Sequence, residues 1–136
     1  MFSSLGELFL HLDANLTDQV KGEIIALPEC QLLSLHFGLN HLIRSLVFYQ
    51  NELDEGKNYF LALGGPDEAS GVLGRIYWLH IRRVAITEEL ALKAVERCGT
   101  LYFSDAEKMA VVKGLVADYE RAFHADHPAG PSGPAG

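Results

Sequence analysis

A single charged side chain, Arg44, stands in an otherwise apolar stretch and constrains the fold more than any other feature of the sequence. Between Cys30 and Asn51 no other side chain carries a formal charge, histidines being counted as neutral. Apolar residues recur there at intervals of three and four, which is typical of a helix packed into a core. A buried arginine without a partner would cost about 3–5 kcal/mol. The fold must therefore bring a carboxylate or several carbonyl oxygens to Arg44.

Two polar side chains share the helical row of Arg44. His36 and Asn40 precede it by eight and four residues, so all three lie on one side of a helix. No acid of the same helix is within reach, and Asp67 is our first choice of partner. Three other acids are alternatives: Asp18, Glu52 and Asp54. The row is either a structural link between two helices or part of a pocket that holds an anionic group.

Helix start and stop signals occur along the whole chain. Ser4 and Ser104 each precede a glutamate by three residues, the spacing of a capping box. Pro28 ends one segment, and Pro66 begins another with acids behind it. The predicted helical segments are residues 4–12, 17–28, 29–50, 67–82, 87–98 and 104–123. Together with a short apolar turn at 59–63 they predict an all-α bundle of about six or seven helices, with the apolar helix at about 29–50 in its centre.

The length and composition predict one domain. A chain of 136 residues with 49% hydrophobic residues can bury a core of its own. We place the helical domain at residues 1–126. Residues 127–136 are rich in proline and glycine, have nothing to bury, and are predicted to form a flexible tail.

The charge distribution restricts the partners. The net charge is −7, and residues 1–70 account for it, with ten acidic against three basic residues. An acidic chain lacks the positive field that nucleic acids require, so we expect no nucleic-acid partner. The acidic half is compatible with a basic protein partner or with an ordinary solvated surface. No apolar run of about 18–20 residues and no secretory signal is evident, so we expect a cytoplasmic protein without a membrane partner.

Familiar catalytic and metal-binding patterns are absent from the sequence. It contains no phosphate-binding loop, no zinc-protease motif and no nucleophile elbow. His36 and His41 lie about 140° apart around a helix, which one ion does not easily bridge. His124 and His127 have suitable spacing but stand where the last helix meets the tail. We predict no catalytic residue, no metal site and no cofactor, which favours a protein that is not an enzyme.

A second group of residues combines aromatic rings with basic side chains. Such mixtures are enriched in protein interfaces. We therefore interpret the group as a candidate interface, although its tryptophan fits a core position equally well. Its members are Tyr77, Trp78, His80, Arg82 and Arg83.

The order of motifs resembles an uncharacterised family of small bacterial domains. The family pattern H-x-x-L-G-x-x-I-R-N corresponds to residues 36–45, and its P-D-x-x-S pattern corresponds to residues 66–70. The aromatic pairs at 59–60 and 77–78 follow the family order, and the resemblance covers roughly residues 3–83. It implies that four residues belong to one arrangement: His36, Arg44, Asp67 and Ser70. Asn40 replaces a glycine of the pattern and Ser45 an asparagine. If the family's arginine–asparagine pair has a function, Ser45 puts that function in doubt for this chain.

Two functions follow as hypotheses. The first is a non-enzymatic protein–protein interaction module, such as an immunity-type or adaptor protein, with self-association also open. Its basis is the acidic half, the small size, the lack of catalytic motifs and the candidate interface. The alternative is a small-ligand or catalytic pocket for an anionic group, built around His36, Arg44 and Asp67.

Overall fold

Six α-helices make up most of the described chain. The computed structural model describes residues 4–32, 38–49, 66–98 and 104–123. In order, the helices are α1 (Leu5–Asn15), α2 (Asp18–Ala26), α3 (Leu39–Arg44), α4 (Pro66–Ile81), α5 (Glu88–Cys98) and α6 (Asp105–Phe123). These ranges contain no strand, and the all-α prediction is confirmed. The predicted tail at 127–136 and the apolar turn at 59–63 lie outside the described residues.

The predicted helix caps are present. Ser104 and Glu107 form the reciprocal capping box at the start of α6: the Ser104 hydroxyl accepts from the Glu107 N–H at 3.1 Å, and Glu107 Oε1 accepts from the Ser104 N–H at 2.8 Å. Three other hydroxyls each accept from the backbone N–H three residues later: Ser4, Thr17 and Thr87. Each satisfies a donor that the first turn of a helix cannot pair internally.

The prediction of one continuous helix over residues 29–50 is wrong. Residues 29–32 form a 3₁₀ turn, and α3 begins only at Leu39. The residue before it, Gly38, has φ −109° and ψ −100°, a conformation that is not helical. Beyond Arg44 the chain continues as a π-helical turn over Ser45–Tyr49. The spacing of apolar residues does not reveal such a break. Glycine adopts dihedral angles that other residues avoid, so the helix can be interrupted at Gly38 while the apolar pattern continues.

The helix at the centre of the core is α4. All eight residues from 72 to 79 are buried, and the helix packs against α2, α3 and α5. Its neighbour α5 packs on α6, which in turn packs on α1. Val72, Ile76 and Leu79 form one apolar face of α4, and this face lies in a helix whose residues 72–79 are buried on all sides. Within the described ranges no helix is long and apolar enough to span a bilayer.

By contrast, α2 is attached to the core by few side chains. Ile24 is its one buried residue. Val20 and Leu27 have helical spacing from Ile24, yet Val20 is exposed and Leu27 half-buried. The carbonyl of Leu27 accepts from Trp78 Nε1 at 2.9 Å and ties the end of α2 to α4. The weak packing of α2 leaves space beside it, and two cavities lie there.

Candidate functional site

Arg44 joins α3 to the start of α4. Its residue is 5% exposed, its Nε lies 3.7 Å from Asp67 Oδ1, and its Nη1 donates to Ser70 Oγ at 3.0 Å. The hydroxyl of Ser70 in turn donates to the backbone carbonyl of Asp67 at 3.1 Å. The predicted pairing of Arg44 with Asp67 is confirmed as a contact. Ser70 supplies the shorter bond and, unlike the 70% exposed carboxylate of Asp67, it is buried.

Asn40 lies on the same row but makes no such link. It is buried against α4, and its Oδ1 has no hydrogen-bond partner in the described part of the chain. The third member of the predicted row, His36, lies outside the described residues. The described members of the row therefore connect two helices through Arg44, which has its polar contacts inside the protein.

The candidate interface is divided between core and surface. Tyr77 is fully buried, and Trp78 is buried with its Nε1 bonded to the Leu27 carbonyl. Arg82 is exposed and lies over the Trp78 ring, with its Cζ 4.5 Å from the ring centroid. Arg83 is exposed at the end of α4. The two aromatic residues therefore do not offer the interface that the sequence predicts, because helical spacing turns both toward neighbouring helices.

A polar network that the sequence analysis missed connects α1, α4 and α6. His80 Nε2 donates to Asp13 Oδ2 at 2.8 Å, and the hydroxyl of Tyr77 donates to Asp13 Oδ1 at 2.9 Å. The other ring nitrogen, His80 Nδ1, lies 2.8 Å from the Tyr119 hydroxyl. Since a carboxylate can only accept, the proton of neutral His80 belongs on Nε2, and Nδ1 accepts from Tyr119.

Aromatic rings surround the imidazole of His80. The ring centroid of Phe123 lies 4.6 Å away, that of Phe9 5.3 Å away and those of Tyr77 and Tyr119 5.5 Å away. This enclosure leaves the His80 side chain 12% exposed, so its polar atoms need partners within the protein. The network supplies them.

The phenols of the network remain protonated. Burial raises the pKa of Tyr77 far above its ordinary value, and the hydrogen bond to Asp13 and the charge of Asp13 raise it further. Burial also raises the pKa of Tyr119, with a further contribution from the charge of Asp13. Both tyrosines are therefore hydrogen-bond donors at neutral pH. The network can hold a carboxylate in a half-buried position, and it does not supply a tyrosinate nucleophile.

The network forms part of the wall of a cavity of about 730 Å³, which we call the polar cavity. Asp13, His80 and Tyr119 contribute its hydrogen-bonding groups. The charged residues around it also include Asp18, Lys21 and Arg83. The remaining lining consists of small or apolar residues: Gly22, Ile25, Ile81, Val84, Ala85 and Phe123. Asp13 and Tyr119 are 67 and 39 residues away from His80 along the chain, so no local spacing signals this site.

A smaller cavity of about 360 Å³ lies on the other side of α2 and is mostly apolar. Its lining residues are Leu16, Val20, Glu23, Ile24, Leu27, Gly38, Leu39 and Leu42. It has a single ionisable side chain, Glu23, and therefore little to orient a polar ligand.

Arg75 of α4 is a second buried arginine, and no sequence pattern indicates its burial. Its Nη2 donates to Glu29 Oε2, which Lys93 Nζ of α5 contacts at 3.1 Å. The hydrogen bond from Lys93, and then the charges of Arg75 and Lys93, hold the pKa of Glu29 below its ordinary value. This cluster links the 3₁₀ turn to two helices and does not line either cavity.

No group of three or more histidine, cysteine, aspartate or glutamate side chains suited to a metal ion occurs among the residues described. Asp13 and His80 lie together in the network, but their polar atoms bond to each other and to two tyrosines. The pair His124 and His127 lies outside the described residues.

Comparison with protein-family models, with characterised proteins and with solved structures finds no match to this chain. The resemblance to an uncharacterised bacterial family stays a prediction.

Proposed function

We propose that this chain is a binding protein for a small organic molecule, which occupies the polar cavity. One observation carries the proposal: a cavity of about 730 Å³ has a pre-formed hydrogen-bonded wall of Asp13, His80 and Tyr119. Ligand sites are typically about 300–1,000 Å³, mostly apolar, and equipped with a few fixed polar groups. The polar cavity lies within this size range and combines fixed polar groups with apolar side chains, although half of its lining residues are polar or charged. Side chains from three helices hold the polar wall, so it needs little reorganisation to receive a ligand.

The proposal moves the small-ligand hypothesis away from Arg44. An anion there would compete with Ser70 and Asp67 for a guanidinium that is already buried and bonded. A ligand in the polar cavity can contact the apolar side chains there without breaking a hydrogen bond inside the protein. The hypothesis of a protein partner stays a prediction, and it has lost part of its basis because Tyr77 and Trp78 are buried.

Binding can be tested by ¹H–¹⁵N NMR titration with three six-carbon probes that differ in charge: hexanoate, hexanamide and hexylamine. We expect at least one probe to shift the amide resonances of Gly22 and Ala85, which line the polar cavity. Gly114, an exposed residue of α6, serves as the internal control. If no probe shifts Gly22 and Ala85, or if the shifts centre on Leu16 and Leu42 of the apolar cavity, the proposal fails.

A blocking variant separates occupancy of the cavity from general surface binding. Ala85 is exposed and lines the polar cavity, so Ala85→Trp should fill part of it without disturbing the core. Ala106→Trp is the matched control, because Ala106 is exposed on α6 and lies outside the lining. We expect Ala85→Trp to abolish the probe-induced shifts and Ala106→Trp to preserve them. Equal responses from the two variants would contradict the proposed site.

A further inference from the structure

Two basic residues of the polar cavity have no carboxylate partner among the residues that the structure describes. Lys21 is half-buried, and its Nζ donates to the backbone carbonyl of Asp13 at 2.6 Å. Arg83 follows the end of α4 and also lines the cavity. Over residues 4–32, 38–49, 66–98 and 104–123, neither side chain forms an ion pair. A half-buried ammonium group benefits from a counter-ion, which an anionic ligand would supply.

The acidic side chains of the cavity do not cancel these two cations. Asp13 has both carboxylate oxygens engaged, one by Tyr77 and the other by His80. Asp18 is exposed in the first turn of α2, where the helix dipole already favours a negative charge. The charged donors left for a ligand are therefore those of Lys21 and Arg83.

The backbone of Arg83 provides independent support. Its φ is +62°, in the left-handed region that favours glycine. The N–H of Arg83 donates to the His80 carbonyl at 3.0 Å, and the N–H of Val84 donates to the Leu79 carbonyl at 3.1 Å. These two bonds define a Schellman motif with Arg83 at the position that glycine usually occupies. Arginine is less favourable for the backbone at this position than glycine. Backbone stability therefore does not explain the arginine, whereas a role of its side chain in the cavity would.

We propose that Lys21 and Arg83 together bind the oxyanion head group, such as a carboxylate, of a small amphiphilic ligand. The inference rests on the proposed small-ligand function and adds the class of ligand. Apolar side chains of the same cavity, including Ile25, Val84 and Phe123, accommodate the short apolar body. Lys21 lies in α2, the helix with a single buried residue, so head-group binding also connects this helix to the end of α4.

The test compares hexanoate with hexanamide, which match in length and differ in charge. We expect each of the two cations to strengthen the binding of hexanoate relative to hexanamide by up to about fivefold, since a partly exposed ion pair contributes about 1 kcal/mol or less. Arg83→Gly and Lys21→Met should each weaken hexanoate binding by a similar factor and leave hexanamide binding within twofold. Arg97→Ala, which removes an exposed cation of α5 outside the cavity, should change neither.

Arg83→Gly also controls for loss of folding. Because glycine suits φ +62°, this variant should melt about 2–4 °C higher than the parent while binding hexanoate more weakly. Arg83→Ala removes the cation and keeps the backbone penalty, so it should lose affinity without that gain. If hexanamide binds as tightly as hexanoate, or if Arg83→Gly keeps full hexanoate affinity, the head-group inference fails while the cavity proposal stands. If only hexylamine binds, the head-group inference fails while the cavity proposal stands, and if none of the three probes binds, both fail.

Discussion

Gly74 of α4 lies directly against the carboxamide of Asn40 in α3. A Cβ placed on Gly74 would be 1.9 Å from Asn40 Oδ1 and 3.0 Å from Asn40 Cγ, far inside van der Waals contact. Asn40 is 7% exposed, so its side chain has little room to move aside. Its Oδ1 is also buried without a hydrogen-bond partner in the described ranges. The close approach of α3 to α4 therefore depends on the missing side chain at Gly74.

This contact predicts strong coupling between the two positions. Gly74→Ala should lower the free energy of unfolding by about 1–3 kcal/mol through overpacking, although alanine favours a helix by about 1 kcal/mol. In an Asn40→Ala background the obstructing carboxamide is gone, and the same substitution should be neutral or stabilising. Urea denaturation of the four proteins in this double-mutant cycle measures the coupling.

The control for helix propensity is Gly114→Ala. Gly114 lies in α6, and a Cβ there would meet no atom within 4 Å. This variant should gain up to about 1 kcal/mol in either background. Equal effects of Gly74→Ala with and without Asn40 would show that the two residues do not contact each other.

The link between Arg44 and α4 should depend more on Ser70 than on Asp67. The Arg44–Asp67 contact is 3.7 Å long and involves a carboxylate that is largely exposed, and such pairs contribute about 0–1 kcal/mol. The Arg44–Ser70 bond is 3.0 Å long and buried. We expect Ser70→Ala to lower the free energy of unfolding by about 1–3 kcal/mol, because a buried donor loses an acceptor.

Asp67→Asn is the comparison for Ser70→Ala. It keeps the size of the side chain and the backbone carbonyl that accepts from Ser70, so it should cost less than about 1 kcal/mol and show a small salt dependence. Chemical denaturation at low and at high salt measures both variants. A larger effect of Asp67→Asn than of Ser70→Ala would reverse the assignment.

The parts of this fold that local chemistry determines could be predicted from the sequence. Ser104 and Glu107 are three residues apart and satisfy each other's backbone donors, so the cap can be read without knowledge of the fold. The partner of Arg44 could also be inferred, because an apolar helix with one cation needs a carboxylate, and Asp67 begins the next strong helix. The identity of the central helix could not. Arg75 and Gly74 interrupt the apolar pattern of α4, and only the tertiary fold places Glu29 and Asn40 beside them.

The polar network around His80 could not be predicted from sequence patterns either, because its members come together only in the tertiary fold. The neighbours of His80 in the chain predict that it belongs to an interface. Its hydrogen bonds instead go to α1 and α6, across 67 and 39 residues. A histidine acquires its role from whatever the tertiary fold brings to its two nitrogens, and helical spacing gives no information about that.

Glu29 predicts a specific loss of stability in acid. Its pKa is lowered from 4.5, first by the hydrogen bond from Lys93, so its contribution to stability is present above about pH 4.5 and is lost as the pH falls through the lower folded value. Its side chain is 43% exposed, so we expect this contribution to be less than about 1 kcal/mol. The free energy of unfolding should fall less steeply between pH 5 and pH 3 in Glu29→Gln than in the parent.

The matched control is Glu120→Gln, at an exposed glutamate of α6 that forms no ion pair in the described ranges. It should leave the acid slope unchanged. Lys93→Met should reduce the slope part of the way, because it removes the hydrogen bond and leaves Arg75 in place. An acid slope that is the same in the parent and in Glu29→Gln would contradict the prediction.

Asp13→Asn should move the proton of His80 from one ring nitrogen to the other. The carboxamide oxygen of the variant can still accept from the fully buried Tyr77 hydroxyl, which directs the new amide group toward His80 Nε2. That nitrogen must then accept, so the proton moves to Nδ1 and is donated to the Tyr119 oxygen. Tyr119 borders the polar cavity, where water can accept the proton of its hydroxyl.

Long-range ¹H–¹⁵N NMR should show protonated Nε2 in the parent and protonated Nδ1 in the variant. Exposed His41 of α3 should be unaffected. We expect Asp13→Asn to lower the free energy of unfolding by about 1–3 kcal/mol, since two bonds to a charged acceptor become bonds to a neutral group. A proton that stays on Nε2 in both proteins would rule out the network as described.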